Sequence, residues 1–478
     1  MNFALSHLQL ALPEIVLLTA ICLVLLVDLF VTEKTRGTTY MLAQLSLVAV
    51  LLCTLATAVD KPLLAFSDMF VRDRMGDILK IFIYAITFAG FLYSKSYLKM
   101  RDISFGEFYV LGLFGVLGMM ILISAHSLLT VYLGLELMSL SMYAMVALQR
   151  DSAVASESAM KYFVLGAIAS GLLLYGMSML YGVTGSLDLG RISQGVVQHK
   201  ANIVLIFGLV FIIVGVAFKL GAVPFHMWVP DVYQGSATAV TLYIGTAPKI
   251  AAFAMLMRLL VDGLQPLQAE WRDILIILAI ASLAVGNIVA IAQTNIKRML
   301  AYSTISHVGF LLLGVIAGTA EGYSAAMFYV LIYSLMALGA FGMIILLSRF
   351  GFEAEQLDSF KGLNQRSPWF AFMMLILMFS MAGVPPFIGF WAKLAVLTAV
   401  INIQLTWLAI VAVLFSIVGA VYYLRIVKLM YFDTPQDSQA LECSTDMRVL
   451  MSINGVLVLL LGLNPGLILS LCAEVMAK

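Results

Sequence analysis

Charge is what this sequence has least of. Of its 478 residues 11% are charged, 27 basic against 26 acidic, while 63% are hydrophobic. Soluble globular chains carry about 25% charged and 45–50% apolar residues, so a water-soluble domain is excluded. A net charge of +1 leaves no basic face for nucleic acid. Cysteine is equally scarce. Cys22, Cys53, Cys443 and Cys472 stand far apart with no CxxC or Cys/His spacing, so they read as small apolar side chains, and iron–sulfur or haem ligation by this chain is not expected. No P-loop, no dinucleotide-binding glycine pattern after a strand and no metal-ligand spacing occurs. Redox and nucleotide chemistry are therefore not expected in this chain, nor a bound cofactor or metal. The first residues, "MNFALSHLQLALPEIVLL", lack a basic stretch and a small-residue cleavage site, and read as the approach to a first spanning helix.

What remains is oil. Mean hydropathy is +1.04, and runs of roughly 20 apolar residues, the length a spanning helix needs, recur throughout. They predict an all-α polytopic membrane protein of about 14 transmembrane helices between residues 11 and 473. Two runs, 202–230 and 368–402, are too long for one helix, and each holds proline: Pro224 in the first, Pro385 and Pro386 in the second. Proline frees a carbonyl and breaks the helix, which a membrane tolerates only where protein or water meets the freed groups. The segments "GAVPFHMW" at Gly221 and "AGVPPFIGFW" at Ala382 echo each other about five helices apart. An odd count makes the two copies antiparallel, the pattern of inverted repeats with broken helices at matching positions; a chance match in so apolar a chain is the alternative. Lys and Arg on the loops divide 14 to 8 when the N-terminus is put outside, which predicts both termini on the outer, periplasmic side.

A few charges lie where lipid should be. Glu136 sits at mid-helix in "VYLGLELMSLSMYAM", and Lys80, Lys161, Lys219, Lys249 and Lys393 fall within apolar runs. Lys80 is near its helix end and is expected to snorkel to the surface. A charge at the bilayer centre costs at least about 2.5–3.5 kcal/mol, so the others are expected to face the bundle interior. Burial loosens a lysine's proton and tightens a glutamate's, and pairing opposes both. A Glu136–lysine contact is thus either a clamp between helices or a proton switch. Lys161, on the next helix, is the expected partner of Glu136. Lys219 lies five residues before Pro224, Lys393 seven after Pro386, and Lys249 near the midplane beside Pro248. His307, in "AYSTISHVGF", and His226, beside the first break, suit either a proton relay or bonds between helices.

The deep Glu in "YLGLELMSL", with "FKLGAVPFHMWVPDVYQG", "APKIAAF", "QTNIKRMLAYSTISHVGF" and "MAGVPPFIGFWAK", resembles the antiporter-like membrane subunits of respiratory complex I, in order over about residues 100–430. "PDVYQG", Lys393 and a short C-terminus set it apart from the L- and M-type members. The resemblance implies three N-terminal helices (1–100), inverted five-helix repeats at 101–265 and 266–432, and a last helix at 433–478. It implies a proton half-channel in each repeat. Glu136 would be the coupling glutamate, Lys219 the central lysine of the first half-channel, Lys249 the link and Lys393 the terminal lysine of the second. Lys161 would match an additional helix-6 lysine, and Glu107 an acidic residue near the start of helix 4. The implied function is proton translocation coupled to electron transfer from NADH to quinone. NADH, FMN, iron–sulfur clusters and quinone would be handled by other subunits of the complex. The implied partners are other membrane-arm subunits, including the other antiporter-like ones, together with lipid. The implied location is a bacterial inner membrane. Alternatives are a multi-subunit cation/proton antiporter, the membrane arm of a hydrogenase-type complex, and a scaffold that only bridges pumping subunits.

Overall fold

In lipid a backbone must satisfy its own N–H and C=O groups, which leaves helices as the default. The computed structural model describes residues 5–32, 37–103, 105–200, 202–435 and 443–477 and is helical almost throughout. Lys34, Arg36 and Lys478, counted above for orientation, lie outside the described residues. The order is α1 (Leu5–Leu10), α2 (Leu12–Asp28), α3 (Gly37–Ala56), a hairpin of β1 (Leu63–Ala65) and β2 (Phe70–Arg72), α4 (Arg74–Met100), α5 (Phe105–Ile123), α6 (Leu128–Val146), α7 (Ala153–Thr184), α8 (Leu189–Gln198) and α9 (Ile203–Leu220). Next come α10 (Trp228–Gly235), α11 (Thr238–Ile244), α12 (Ala247–Leu256), a π-helical turn (Met257–Gly263), α13 (Gln268–Ile291), α14 (Ile296–Ala317) and α15 (Ala320–Leu347). The chain closes with α16 (Leu363–Arg366), α17 (Pro368–Ala382), α18 (Ile388–Asn402), α19 (Thr406–Phe432), α20 (Thr445–Leu463) and α21 (Gly466–Met476). Among the described residues 12 helices are long and apolar enough to cross a membrane, and three shorter apolar ones accompany them. Side-chain caps start several of them: Ser127 for α6, Ser152 for α7, Asn295 for α14 and Thr319 for α15.

Several expected helices are broken. The run 202–230 divides into α9 and α10, and 368–402 into α17 and α18. Both breaks open on a left-handed glycine, Gly221 (φ 84°) and Gly383 (φ 87°), and each holds a cis X–Pro bond, Val223–Pro224 and Pro385–Pro386. The local conformation thus aligns Gly221 with Gly383, one residue off the sequence echo. The expected last helix in 433–478 is corrected to α20 and α21: Asn464, before Pro465, is extended (φ −136°, ψ 72°), because the proline ring disfavours the helical region for its predecessor. The hairpin and α8 have no counterpart in the hydropathy runs. At ten residues α8 is too short to span, and it buries Leu189, Ile192 and Val196 from one face.

The chain forms two compact units, one of residues 1–91, 102–219 and 247–271, the other of 92–101, 220–246 and 272–478. In the first, α5 and α6 are in intimate contact and α2 packs on α3 and α5. In the second, α15 is the hub, buried along nearly its whole length between α14, α17, α18 and α21.

A buried charge cluster ties the N-terminal helices into the first unit. Lys80 Nζ donates to Glu14 Oε1 at 2.6 Å and to Ser124 Oγ at 2.7 Å. Arg72 pairs with Asp77 at 3.1 Å and donates to the carbonyls of Leu10 and Thr54. Arg258, on the π-helical turn, pairs with Asp73 at 2.8 Å and Asp262 at 3.1 Å and donates to the Ile123 carbonyl. Lys80, 1% exposed, therefore does not snorkel. It finds Glu14 within reach, and that contact replaces the water its ammonium would otherwise seek.

Candidate functional site

The seam between α5 and α6 sets the position of Glu136. A Cβ on Gly118 would lie 2.4 Å from the Met138 backbone N, and one on Gly134 would lie 2.5 Å from that of Leu122. Only glycine lets the two backbones approach so closely. Glu136, Ser139 and Tyr143 then share one face of α6, at spacings of three and four residues. Lys219, in the last turn of α9, reaches that face. Its Nζ donates to Ser139 Oγ at 2.8 Å and Tyr143 Oη at 3.3 Å, and lies 5.6 Å from the ring centroids of both Tyr143 and Phe218. Its charge interacts with that of Glu136. Glu136 Oε1 is buried and receives no hydrogen bond from the described residues. The buried Lys219 is thus hydrogen-bonded by neutral hydroxyls, with the carboxylate nearby. Lys249, third residue of α12, is 3% exposed in a helix buried on every side, and its charge interacts with that of Lys219.

In the second unit Lys393 lies on α18 just past the break. Its Nζ donates to the Ala382 carbonyl at 2.8 Å and to Ser416 Oγ at 2.9 Å, and stands 4.9 Å from the Phe310 ring centroid. Gly383 keeps this space open: a Cβ there would lie 2.8 Å from Lys393 Cδ. The break supplies the Ala382 carbonyl, the last of α17, so the interruption provides the lysine's acceptor. His307 is buried among hydroxyls, with Nδ1 2.7 Å from Tyr329 Oη and Nε2 3.1 Å from Tyr423 Oη. Ser303 bonds Tyr423, Thr304 bonds Tyr333 at 2.7 Å, and Tyr422 donates to Asn287 at 3.2 Å. Tyr329, His307, Tyr423 and Ser303 thus form one hydrogen-bonded chain whose imidazole and hydroxyls can each give and accept a proton.

Not every expected residue joins these groups. Lys161 does not face the bundle interior. It pairs with Glu157, one turn back on its own helix, at 2.9 Å, and its side chain is 44% exposed. The reason is length: at 1.5 Å per residue the 32-residue α7 is about 48 Å long, against a hydrocarbon core of about 30 Å, so its first two turns reach the headgroup level. The Glu136 neighbour is therefore Lys219. Glu107 is exposed in the first turn of α5. His226 is half-buried in the first break, and its buried Nδ1 receives no side-chain hydrogen bond among the described residues. Two further charged groups, one buried and one half-buried, escaped the sequence reading. Lys297, assigned to a loop, is 3% exposed and donates to the Ser236 carbonyl at 2.7 Å. Glu353 pairs with Arg101 at 2.6 Å and accepts from Tyr97 at 3.0 Å and from Thr238. Lys297, the second residue of α14 after the Asn295 cap, read as a helix-end cation, and nothing local in the sequence showed Ser236 beside it.

Broken apolar helices with buried lysines at or beside the breaks, and a carboxylate set against one of them, define an antiporter-type membrane subunit. The family described as NADH:quinone oxidoreductase/Mrp antiporter, TM, matches residues 125–419, and the one described as NAD(P)H-quinone oxidoreductase subunit 2 N-terminal matches 1–89. Relatives named NADH-quinone oxidoreductase subunit N include those of Thioalkalivibrio sulfidiphilus, 62% identical over 98% of each chain, and Thiobacillus denitrificans, 59% identical over 99% of each. A chain of respiratory complex I from Thermus thermophilus superposes with a TM-score of 0.83 at 32% identity, covering 96% of this chain and 99% of that one. The chain belongs to the subunit N family of NADH-quinone oxidoreductases.

Proposed function

We propose that this chain moves protons through the membrane arm of NADH–quinone oxidoreductase, driven by electron transfer from NADH to quinone elsewhere in the complex. Its partners are the other membrane-arm subunits, the antiporter-like ones among them. NADH, FMN, iron–sulfur clusters and quinone are bound by other chains, and none of them by this one. The inverted repeats at 101–265 and 266–432 each carry a half-channel, and both termini face the periplasm of a bacterial inner membrane. Glu136, Lys219, Lys249, His307 and Lys393 carry the proton.

One observation supports this reading above the rest: Lys219 is hydrogen-bonded to Ser139 and Tyr143 while Glu136 waits with a buried, unbonded oxygen. A buried charge pair with its partners in hydrogen-bond contact is a clamp. A buried lysine held by neutral groups, with a carboxylate a turn away, has two nearly equivalent arrangements. Drawing the carboxylate toward Lys219 holds its proton, and withdrawing it releases the proton. A conformational or electrostatic signal from the redox subunits that moves Glu136 would therefore drive transfer.

Replacing Glu136 or Lys249 by Ala is expected to lower NADH–quinone turnover and proton pumping together, each by about tenfold or more, since a positioned proton-transfer group contributes at least that much. The measurement is turnover plus vesicle acidification on the assembled complex. Unaltered pumping by either assembled variant would sink the proposal. The cation/proton antiporter reading differs in one outcome, a transport rate that depends on sodium.

A further inference from the structure

The second unit holds a further interruption, between α10 and α11. Ser236 and Ala237 are extended there (φ −83°, ψ 158° and φ −54°, ψ 141°), so the Ser236 carbonyl leaves the helical ladder. Lys297 meets it. From the second residue of α14 its Nζ donates to that carbonyl at 2.7 Å, and its side chain is 3% exposed. The break between α17 and α18 offers Lys393 the Ala382 carbonyl at 2.8 Å in the same way. A carboxylate stands nearby, beyond hydrogen-bond range: Glu355 Oε2 is 4.0 Å from Lys297 Nζ. Backbone bonds hold it there. Ile296 N donates to the Glu355 carbonyl at 2.7 Å and Leu357 N to that of Thr294 at 2.9 Å, about a bridge between Asn295 and Gln356. The Glu355 side chain is 36% exposed, so it meets water on one side and a buried ammonium on the other. Glu353 differs: it pairs with Arg101 at 2.6 Å and accepts from Tyr97 at 3.0 Å. The Ser236 hydroxyl, on the residue whose carbonyl holds Lys297, lies 2.9 Å from Thr241 Oγ1, and both residues are buried.

We propose that Glu355 and Lys297 form the proton inlet of the second half-channel, Glu355 collecting protons from water and Lys297 passing them inward. This rests on the half-channel reading above and adds its point of entry. With both termini on the periplasmic side, this end of the unit faces the cytoplasm, from which protons are drawn. The Glu355 carboxylate takes a proton from the water outside and becomes the acid. Lys297 gives its own proton to the Ser236 hydroxyl, which passes one to Thr241. The neutral amine then takes the proton of Glu355, which returns to the carboxylate. Two considerations set this above a purely structural tie. The helix dipole disfavours a cation in a first turn, so it gives no reason for a charge at Lys297. A neutral donor would also satisfy the Ser236 carbonyl without the cost of burying an ammonium. A lysine held by neutral oxygen, with a carboxylate close by, repeats at this end of the second unit what Lys219 and Glu136 show within the first.

The test measures NADH–quinone turnover of the intact complex in detergent, where no proton gradient forms, with and without added formate. Formic acid is a small proton donor that can serve the amine when the carboxylate is gone. Glu355→Gln is expected to lower turnover by about tenfold or more, as loss of a positioned proton-transfer group does. Formate should restore most of that loss and leave the parent complex unchanged. Lys297→Arg keeps the charge and a donor for Ser236, but a guanidinium does not release its proton. Its turnover should fall as far, and formate should not restore it. Subunit content on native gels confirms that both variants are assembled. Parent turnover in either variant, or a loss in Glu355→Gln that formate leaves unchanged, would overturn the inlet. Glu136→Ala, measured alongside, separates the inlet from the half-channels. Its loss beside parent rates in both inlet variants removes the inlet alone, and parent rates in all three remove the half-channels too.

Discussion

The buried lysines divide by the oxygen they are given. Lys80 has a carboxylate at 2.6 Å, while Lys219 and Lys393 are held by hydroxyl and carbonyl oxygens. A lysine clamped to a carboxylate cannot leave it without stranding a charge, whereas one held by neutral dipoles can exchange partners. Lys80 and Glu14 are thus assigned to the fold, and the difference is measurable. Glu14→Ala strands an ammonium beneath the hairpin, at a cost of about 3–5 kcal/mol. The assembled complex should then lose this subunit at a lower temperature on native gels. Glu14→Ala/Lys80→Met removes both charges and should recover most of the loss. A single variant as robust as the parent would show that the pair is not structural. The sequence placed Lys80 correctly a turn or two into its helix but drew the wrong conclusion. Depth is readable within one helix, and a partner 66 residues away is not.

At the level of elements, the apolar runs foretold the spans, and the prolines foretold the breaks between α9 and α10 and between α17 and α18. Glu136, Lys219, Lys249 and Lys393 were likewise visible, because a charge in an apolar run needs an interior location whatever the fold. What was hidden has physical causes. The ten residues of α8 mix polar and apolar side chains, so averaged hydropathy is low there, and the helix shows only in the spacing of Leu189, Ile192 and Val196. Lys161 was misjudged because the overhang of α7 depends on where the bilayer cuts a helix longer than itself. Nor did the sequence announce that Gly118 and Gly134 meet, since many glycines lie dispersed along such helices. Their seam yields a test. In Gly134→Ala the new methyl would meet the Leu122 backbone, which cannot step aside like a side chain. Separating α5 from α6 is expected to cost about 1–3 kcal/mol and to carry Ser139 away from Lys219. Proton pumping should fall more than subunit content, measured as vesicle acidification per assembled complex. Equal falls would mean that the seam serves assembly alone.

Over the whole molecule, the exposed surface is largely apolar, with Leu23, Leu52, Ile168, Ile410 and Ile417 all more than half exposed, as lipid contact requires. The polar groups are drawn inward instead, as a proton conductor needs. A scaffold gains nothing from Lys219, Lys249 and Lys393, because apolar residues of similar volume would pack without the desolvation cost. A conductor needs every carrier in series, so losing one should block the flow almost as fully as losing two. Glu136→Gln and Lys393→Met, though far apart in sequence, should each cut coupled pumping by about tenfold, and the double variant should fall no more than about twofold further, the non-additivity of groups that act as a unit. Multiplying effects would instead indicate two independent routes. Unchanged proton stoichiometry in all three assembled variants would leave the chain a scaffold. Because a series path fails at its first missing carrier, the double variant separates one route from two, which neither single variant does.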